Sequence, residues 1–532
     1  MSDARVDTTD ERMREQLRGL AVVLGAVLVY CALHVGARLL ASPVLGEDDV
    51  VEAVFAQDLQ VAYDFFPRQP PLYNWVLYGV QQVIGVGVES FLLIKYAALT
   101  LTAVLLYLAA FRAFNDRLFA VLSVESLALI YQIAWRYHEG FTHEVLAMVL
   151  VMASVVVVFG IVTRLRVSGF VLLGVCAGLG FLTEPTYYVF IVSLFLAVVM
   201  QPAARRALFK PMLVVSCVIA AAIASPYWMW VLDDPDRIAA WGRLIDFGSA
   251  GSVKNLWAAI RGPFAYLSPL IVLLPIVFPG FLKTARADLR QSANTSDVTN
   301  LEQLSLHMAL AAFLMSVAGA LLLGVQGPAI HVLMPLYLPM VIWLFGVARR
   351  SGDTDVPVSR FAKVAIAIAC VAFIARLANM FVLDPVCKTC RWGIPYGALA
   401  AEMRAQGVRG DGTIVTVDKE LAGNLRRYFP NAAIVMRLYP SFTPQDADLK
   451  GGQATYVWPK GHRKLPASSI EMFIAPMLPE GVAMSDAVRL TIPWDHLWRE
   501  SGYRTSTWEM IGVGQDQPPG TAALLRDVGT SQ

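Results

Sequence analysis

Charge is what this chain is short of. Asp, Glu, Lys and Arg make up only 16% of its 532 residues, while 57% are apolar and the mean hydropathy is +0.56. So much apolar surface excludes a soluble globular protein of this length, and repeated apolar runs of about 20 residues indicate a polytopic α-helical membrane protein. The net charge of +2 says little by itself, and no nucleic-acid partner is expected. A cleavable leader is not expected either: residues 1–18 are polar, and the run Leu20–Leu40 is too long for a signal core and lacks an A-x-A exit. No internal repeat or low-complexity tract stands out.

What is present is a succession of apolar segments. Spans are expected near residues 19–41, 89–111, 118–135, 144–163, 169–184, 187–200, 211–232, 262–282, 305–324, 332–348 and 362–383, about eleven helices in all. If the N-terminus is cytoplasmic, the loops on that side hold eighteen Lys and Arg, from Arg5 to Lys363. The opposite loops hold five: Arg68, Arg136, Arg237, Arg243 and Lys254. This asymmetry puts residues 1–18 inside and, after an odd number of spans, everything from 384 onward outside. The expected domains are therefore 1–18 (cytoplasmic), 19–383 (multi-spanning, with a first external loop at 42–88) and 384–532 (external).

The tail reads as a small α/β domain compatible with a βαβ core. Gly412–Val417, Ala432–Met436, Ala454–Trp458, Val488–Ile492 and Thr507–Val513 read as strands, and Lys419–Tyr428 as a helix. Of six cysteines, Cys31, Cys176, Cys217 and Cys370 lie in spans and read as packed thiols. Cys387 and Cys390 form the only C-x-x-C. With no second pair or His cluster beside it, a local disulfide is expected in an oxidising compartment rather than half a zinc site.

Polar residues gather at a few external junctions. The first holds Glu47, Asp48, Asp49 and Glu52 just beyond the first span, with Val50, Val51, Val54 and Phe55 as an apolar face. It reads either as solvated loop charges or as a reaction centre at the lipid–water boundary, and Gln69-Pro-Pro-Leu-Tyr-Asn-Trp75 then stiffens the turn. The second junction, Arg136–Glu144, contains two His-Glu pairs five residues apart, away from the i, i+4 spacing of a helical zinc motif. Substrate contacts or helix capping by Thr142 suit it better. A third runs from Gly324 through His331 and Tyr337 to Pro339, where Gly and Pro break the helix. Glu184 sits at the outer end of the fifth span, as a functional carboxylate or a cap for the next helix.

Together these motifs resemble the polyprenyl-phosphate-sugar-dependent membrane glycosyltransferases of the GT-C fold. Within them the chain is most similar to the aminoarabinose and galacturonic acid transferases that modify bacterial lipopolysaccharide (glycosyltransferase families 39 and 83). The resemblance rests on Asp48-Asp49, Gln57-Asp-Leu-Gln-Val-Ala-Tyr63, Gln69–Trp75, Thr142–Leu146, Gly178–Thr183 and His331–Pro339. It implies inverting transfer from a polyprenyl-phosphate carrier to a lipid or glycolipid acceptor at the periplasmic face of the bacterial inner membrane. Asp48 would then be the base, with Asp49 beside it, and Tyr63, Arg68, Gln69, His143, Glu144, Glu184, His331 and Tyr337 would contact substrates. A divalent metal is compatible with this resemblance and not required by it. The sequence departs from the family at Glu184, where Lys is common, and in the insertion Asp64–Arg68, whose Arg68 offers a replacement cation for the donor phosphate. A transporter or flippase of lipid-linked glycans is the alternative reading, but the acids sit at one rim and no repeated halves are seen.

Overall fold

A computed structural model describes residues 3–514, except 65, 292–298, 327–332, 353–354, 388–389, 437–452, 462–465, 497 and 499. Among the described residues six helices are long and apolar enough to cross a membrane: Asp10–Ala41 within α1 (Asp3–Ala41), Val88–Phe114, His143–Thr163, Leu213–Leu232, Leu301–Leu322 and Asp355–Val382. Two bent pairs, Thr186–Met200 with Pro202–Leu208 and Leu270–Val277 with Phe281–Arg290, raise the number to eight if each is one span. Val167–Phe181 and Met334–Arg349 are shorter apolar helices.

Three of the expected spans are not continuous, and 332–348 is split into the helices Met334–Tyr337 and Met340–Arg349. Residues 118–135 form the helix Arg117–Glu125, a 3₁₀ turn Ser126–Leu129 and the short helix Tyr131–Ala134. Ser123 and Ser126 donate to the carbonyls of Phe119 and Ser123, local bonds that compete with the regular ladder. Residues 262–282 break at Pro269 and at Pro279, between the helices Val253–Leu267, Leu270–Val277 and Phe281–Gln291, while Pro263 and Pro275 lie inside helices; proline removes a donor and clashes with the preceding turn.

The chain divides into two compact units. The first comprises 1–34, 66–73 and 95–374 and contains most of the apolar helices. Its helices approach closely where side chains are small. A Cβ on Gly178 would lie 2.7 Å from the Cβ of Ile223 and 3.1 Å from the Cα of Ala220, so this glycine lets Val167–Phe181 seat on Leu213–Leu232.

The second unit comprises 35–65, 74–94 and 375–532. It is built on a five-stranded sheet of β1 (Thr413–Thr416), β2 (Ala433–Met436), β3 (Gln453–Pro459), β4 (Val488–Pro493) and β5 (Thr505–Gly514), in the order β2-β1-β3-β5-β4. β1 runs parallel to both β2 and β3, and β5 runs antiparallel to β3 and β4. The five strands fall on the five segments read from the sequence. β1 and β2 are buried throughout, as strands of a parallel pair covered on both faces are. The helix between them is Lys419–Tyr428, started by Asp418, whose carboxylate accepts from the Glu420 N–H. Val415, Val435, Tyr456, Trp458, Ile470 and Ile474 form the main core on one face of the sheet, with the last two on the helix Ala467–Ile474. Cys387 and Cys390 are joined as a disulfide, and Arg504 donates to the carbonyls of Asp384 and Cys387 beside it.

Candidate active site

The acidic stretch folds as a turn leading into a short helix, α2 (Asp49–Phe55). All seven residues of α2 are buried, because its apolar positions and its acids are both covered. Asp48 precedes the helix and accepts the Val51 and Glu52 N–H groups on its carbonyl, leaving its carboxylate out of the capping role. The three acids then part company. Asp48 is exposed, whereas Asp49 retains 6% and Glu52 1% of their accessible surface. Glu52 accepts a hydrogen bond from the side-chain amide of Asn74, which ties the Gln69–Trp75 motif to the acidic one.

The turn before Asp48 is strained. Glu47 has φ +56°, a left-handed conformation that costs a non-glycine residue about 1–2 kcal/mol. Its side chain pairs with Arg391 at 3.0 Å, and the Arg391 guanidinium also lies over the ring of Trp392. Strain held by a specific partner next to a candidate base is a feature of active sites. Tyr63 fixes the other end of α2. Its ring stacks on Phe55 and its hydroxyl donates to the Phe55 carbonyl at 2.6 Å. Trp75 donates to the Gln60 carbonyl at 2.7 Å. Tyr63, expected to contact substrate, is buried and in this structure anchors the loop.

Other predicted residues lie in the first unit. Arg68 is exposed, and the carbonyl of Pro67 before it accepts the Tyr227 hydroxyl at 2.7 Å. Gln69 closes a turn onto the Phe66 carbonyl, and Leu72 donates to the Leu182 carbonyl at 2.8 Å, so the Gln69–Trp75 and Gly178–Thr183 motifs meet. Glu184 is half-buried, and its carbonyl accepts the Tyr187 N–H. His143 and Glu144 open the helix His143–Thr163 and are buried; the His143 ring lies 5.3 Å from that of Tyr73. Thr142 makes no side-chain cap there. Tyr337 is buried on the helix Met334–Tyr337, which packs on His143–Thr163 and Thr186–Met200. His331 lies outside the described residues.

The two His-Glu pairs do not converge. His138 stacks on His34, with ring centroids 3.8 Å apart, and its nitrogens meet the hydroxyls of Tyr30 at 2.7 Å and Tyr96 at 2.9 Å. Glu139 pairs with Arg136. Among the described residues no three His, Cys, Asp or Glu side chains are placed to hold a metal ion.

Comparison with known proteins adds to this geometry. The family model described as dolichyl-phosphate-mannose-protein mannosyltransferase matches residues 68–230. The lipopolysaccharide core galacturonosyltransferase RgtB of Rhizobium johnstonii is 23% identical over 496 residues, 92% of this chain and 97% of that protein. RgtA of the same organism, of the same description, is 23% identical over 495 residues, covering 91% and 95%. The crystal structure of ArnT from Cupriavidus metallidurans bound to undecaprenyl phosphate superposes with a TM-score of 0.59 at 13% identity, covering 91% of this chain and 98% of ArnT. The apo form of ArnT gives 0.56 at 12% identity, with the same coverage. The chain is a membrane glycosyltransferase of the GT-C fold.

The glycosyltransferase thus has relatives along nearly its whole length, and the transporter reading falls away. The structure also brings forward residues that the sequence did not single out. Arg391, Glu420 and Asn424 lie at or beside the acidic turn, and Gln57, already part of the motif at 57–63, bonds Val54 and Ile434 at the far end of α2. Burial pushes the Glu420 carboxyl above the usual carboxylate range, and Asp418 and Glu47 reinforce this against the opposing charges of Arg391 and Lys419. The C-terminal position of Arg391, Glu420 and Asn424, more than 340 residues past Asp48, kept them from view.

Proposed function

We propose that this glycosyltransferase moves a sugar, with inversion, from a polyprenyl-phosphate carrier to lipopolysaccharide or a related envelope glycolipid. The acceptor hydroxyl oxygen attacks the anomeric carbon of the donor, and the bond from that carbon to the phosphate oxygen breaks. The polyprenyl phosphate leaves with the electron pair, and the hydroxyl proton goes to the Asp48 carboxylate. A base within reach of the attacking hydroxyl contributes most when its neighbours keep it ionised and accessible. The observation that carries this assignment is the split among the acids: Asp48 alone of the Asp48, Asp49 and Glu52 set is exposed. Asp49 stands beside it as a second carboxylate at the turn.

Arg68 is assigned to the leaving phosphate, since a guanidinium matches phosphate oxygens bidentately. It is exposed on a segment held by Tyr227, and it supplies a cation that Glu184 does not. Gln69, His143, Glu144, Glu184 and Tyr337 are assigned to the walls of the donor and acceptor sites, and His331 to substrate contact. The names of RgtA and RgtB support the lipopolysaccharide core as acceptor, and the lipid in the ArnT crystal supports an undecaprenyl-type carrier.

Transfer is assigned to the periplasmic face of the bacterial inner membrane, with residues 1–18 cytoplasmic and 384–532 periplasmic. The excess of eighteen over five basic loop residues supports this orientation, and so does a disulfide in the tail domain, since disulfides persist in oxidising compartments. Mass spectrometry of lipopolysaccharide and envelope lipids from a deletion strain tests the reading. Loss of one sugar mass from lipopolysaccharide is expected, and that mass names the donor. An unchanged envelope glycolipid profile overturns the assignment.

A further inference from the structure

We propose that the tail domain is a working part of the active site, gripping the acidic turn on both sides so that Asp48 is held in position. The inference rests on Asp48 being the base, and it assigns positioning roles to Asn424 and Gln57. Neither residue belongs to the acidic cluster: Asn424 of the tail domain is directed at main chain before it, and Gln57 after it is directed at main chain of the tail domain.

The grip upstream of Asp48 comes from α3 (Lys419–Tyr428). The Asn424 side chain accepts from the Leu45 N–H at 2.8 Å and donates to the Leu45 carbonyl at 3.1 Å. It thereby satisfies both main-chain polar groups of the buried residue Leu45, three residues before Asp48. A second donation, to the Glu420 carbonyl at 2.8 Å, fixes its own rotamer. Arg427, one turn of α3 further in number, donates to the Pro43 carbonyl at 3.2 Å.

Downstream, Gln57 makes the mirror arrangement. Its side chain accepts from the Ile434 N–H at 2.7 Å and donates to the Ile434 carbonyl at 2.9 Å. Ile434 lies on β2, an edge strand of the sheet among the described residues. An edge strand presents unpaired main-chain groups that a folded protein must cover, and here one side-chain amide takes the place of a neighbouring strand. The same amide donates to the Val54 carbonyl at 2.8 Å, so the end of α2 is tied to the edge of the sheet.

Between the two grips α2 lies directly on α3. A Cβ on Gly423 would stand 2.3 Å from the Val50 carbonyl oxygen and 2.5 Å from the Val50 Cα. Main chain touches main chain there, which leaves α2 little room to slide. Four unlike contacts (two amide pairs, one guanidinium and one glycine) converge on the fifteen residues from Pro43 to Gln57. The domain's Asn424 and the segment's Gln57 thus each commit a side-chain amide to the other's main chain.

The test uses the full-length protein in detergent, with donor and acceptor lipids extracted from the deletion strain, which lacks the step consuming them. Asn424→Ala and Gln57→Ala are compared with Ile474→Ala, which opens the core of the same domain on a helix other than α3. All are assayed below their melting temperatures. A misplacement of about 1 Å costs up to about 100-fold in rate, so kcat is expected to fall at least about tenfold in Asn424→Ala and in Gln57→Ala. KM for the donor lipid should stay within about twofold. Ile474→Ala is expected to lower Tm more and to leave kcat near wild type. Asn424→Asp, which keeps the bond from the Leu45 N–H and loses the donated ones, should fall between and provides the measurement if Asn424→Ala does not fold. Wild-type kcat in both clasp variants, or an equal loss of kcat in Ile474→Ala, overturns the positioning role. Asp48→Asn is run alongside: if it is inactive while the clasp variants keep wild-type kcat, only the clasp fails, and if it is active the base assignment beneath it fails.

Discussion

Replacing Gly423 by Ala puts one methyl group where the main chain of α2 runs. That methyl would lie 2.3 Å from the Val50 carbonyl oxygen, whereas ordinary contact begins near 3.4 Å, so about 1 Å must be made up. Both parties are main chain in helices, so no side-chain rotation relieves the overlap and α2 has to retreat. Two stability effects oppose one another. Alanine favours the interior of α3 over glycine by about 1 kcal/mol, while overpacking a buried contact costs about 1–3 kcal/mol. The net is a loss of about 0–2 kcal/mol, which leaves the domain folded. The catalytic effect is the larger one, because a 1 Å displacement of a base two residues before Val50 costs up to about 100-fold. Transfer from extracted donor lipid should therefore fall by between about 10-fold and 100-fold while Tm moves by only a few degrees. A Gly423→Ala enzyme with wild-type kcat and intact stability would refute the reasoning, since it would mean that α2 can withdraw without consequence.

Three further outcomes are expected. Thiol-reactive labelling of intact cells should reach Cys387 and Cys390 only after reduction, and labelling without reductant counts against both the bond and the compartment. Glu420 should make the tail domain less stable as pH rises from the ordinary carboxylate range, because burial, with Asp418 and Glu47, raises its folded pKa against Arg391 and Lys419, and the folded state then holds a proton the unfolded state has lost. Glu420→Gln should flatten that part of a Tm-against-pH curve, whereas an unchanged slope rules the group out as its source. Arg68→Ala should weaken use of the donor lipid more than use of the acceptor, seen as a selective rise in donor KM.

The sequence made some of this legible and hid the rest, for physical reasons. Apolar length announces spans, and alternation or β-branched runs announce strands. The five tail strands and the helix Lys419–Tyr428 therefore fell where the pattern placed them. Hydropathy is blind to backbone regularity, so 118–135 read as one span although Ser123 and Ser126 divert its hydrogen bonds. Pro269 and Pro279 in 262–282 were a visible signal of its breaks, whereas Pro263 and Pro275 are held inside helices. At the site, the carboxylates at 48, 49 and 52 were conspicuous, but which of them is exposed depends on what covers α2. That cover is α3, nearly 380 residues away, and neither a glycine at 423 nor an asparagine at 424 signals a partner so distant. The left-handed turn at Glu47 was equally hidden, because Glu is an uncommon residue for that conformation and Arg391 is what holds it there.

The central claim is that Asp48 takes the proton of the acceptor hydroxyl, and Asp48→Asn tests it most directly. The substitution keeps size and shape and removes the charge at an exposed position, so expression in the membrane and Tm should match wild type. Assayed with purified lipid-linked donor and acceptor from the deletion strain, this variant should show no transfer above background. Full activity in Asp48→Asn would contradict the account.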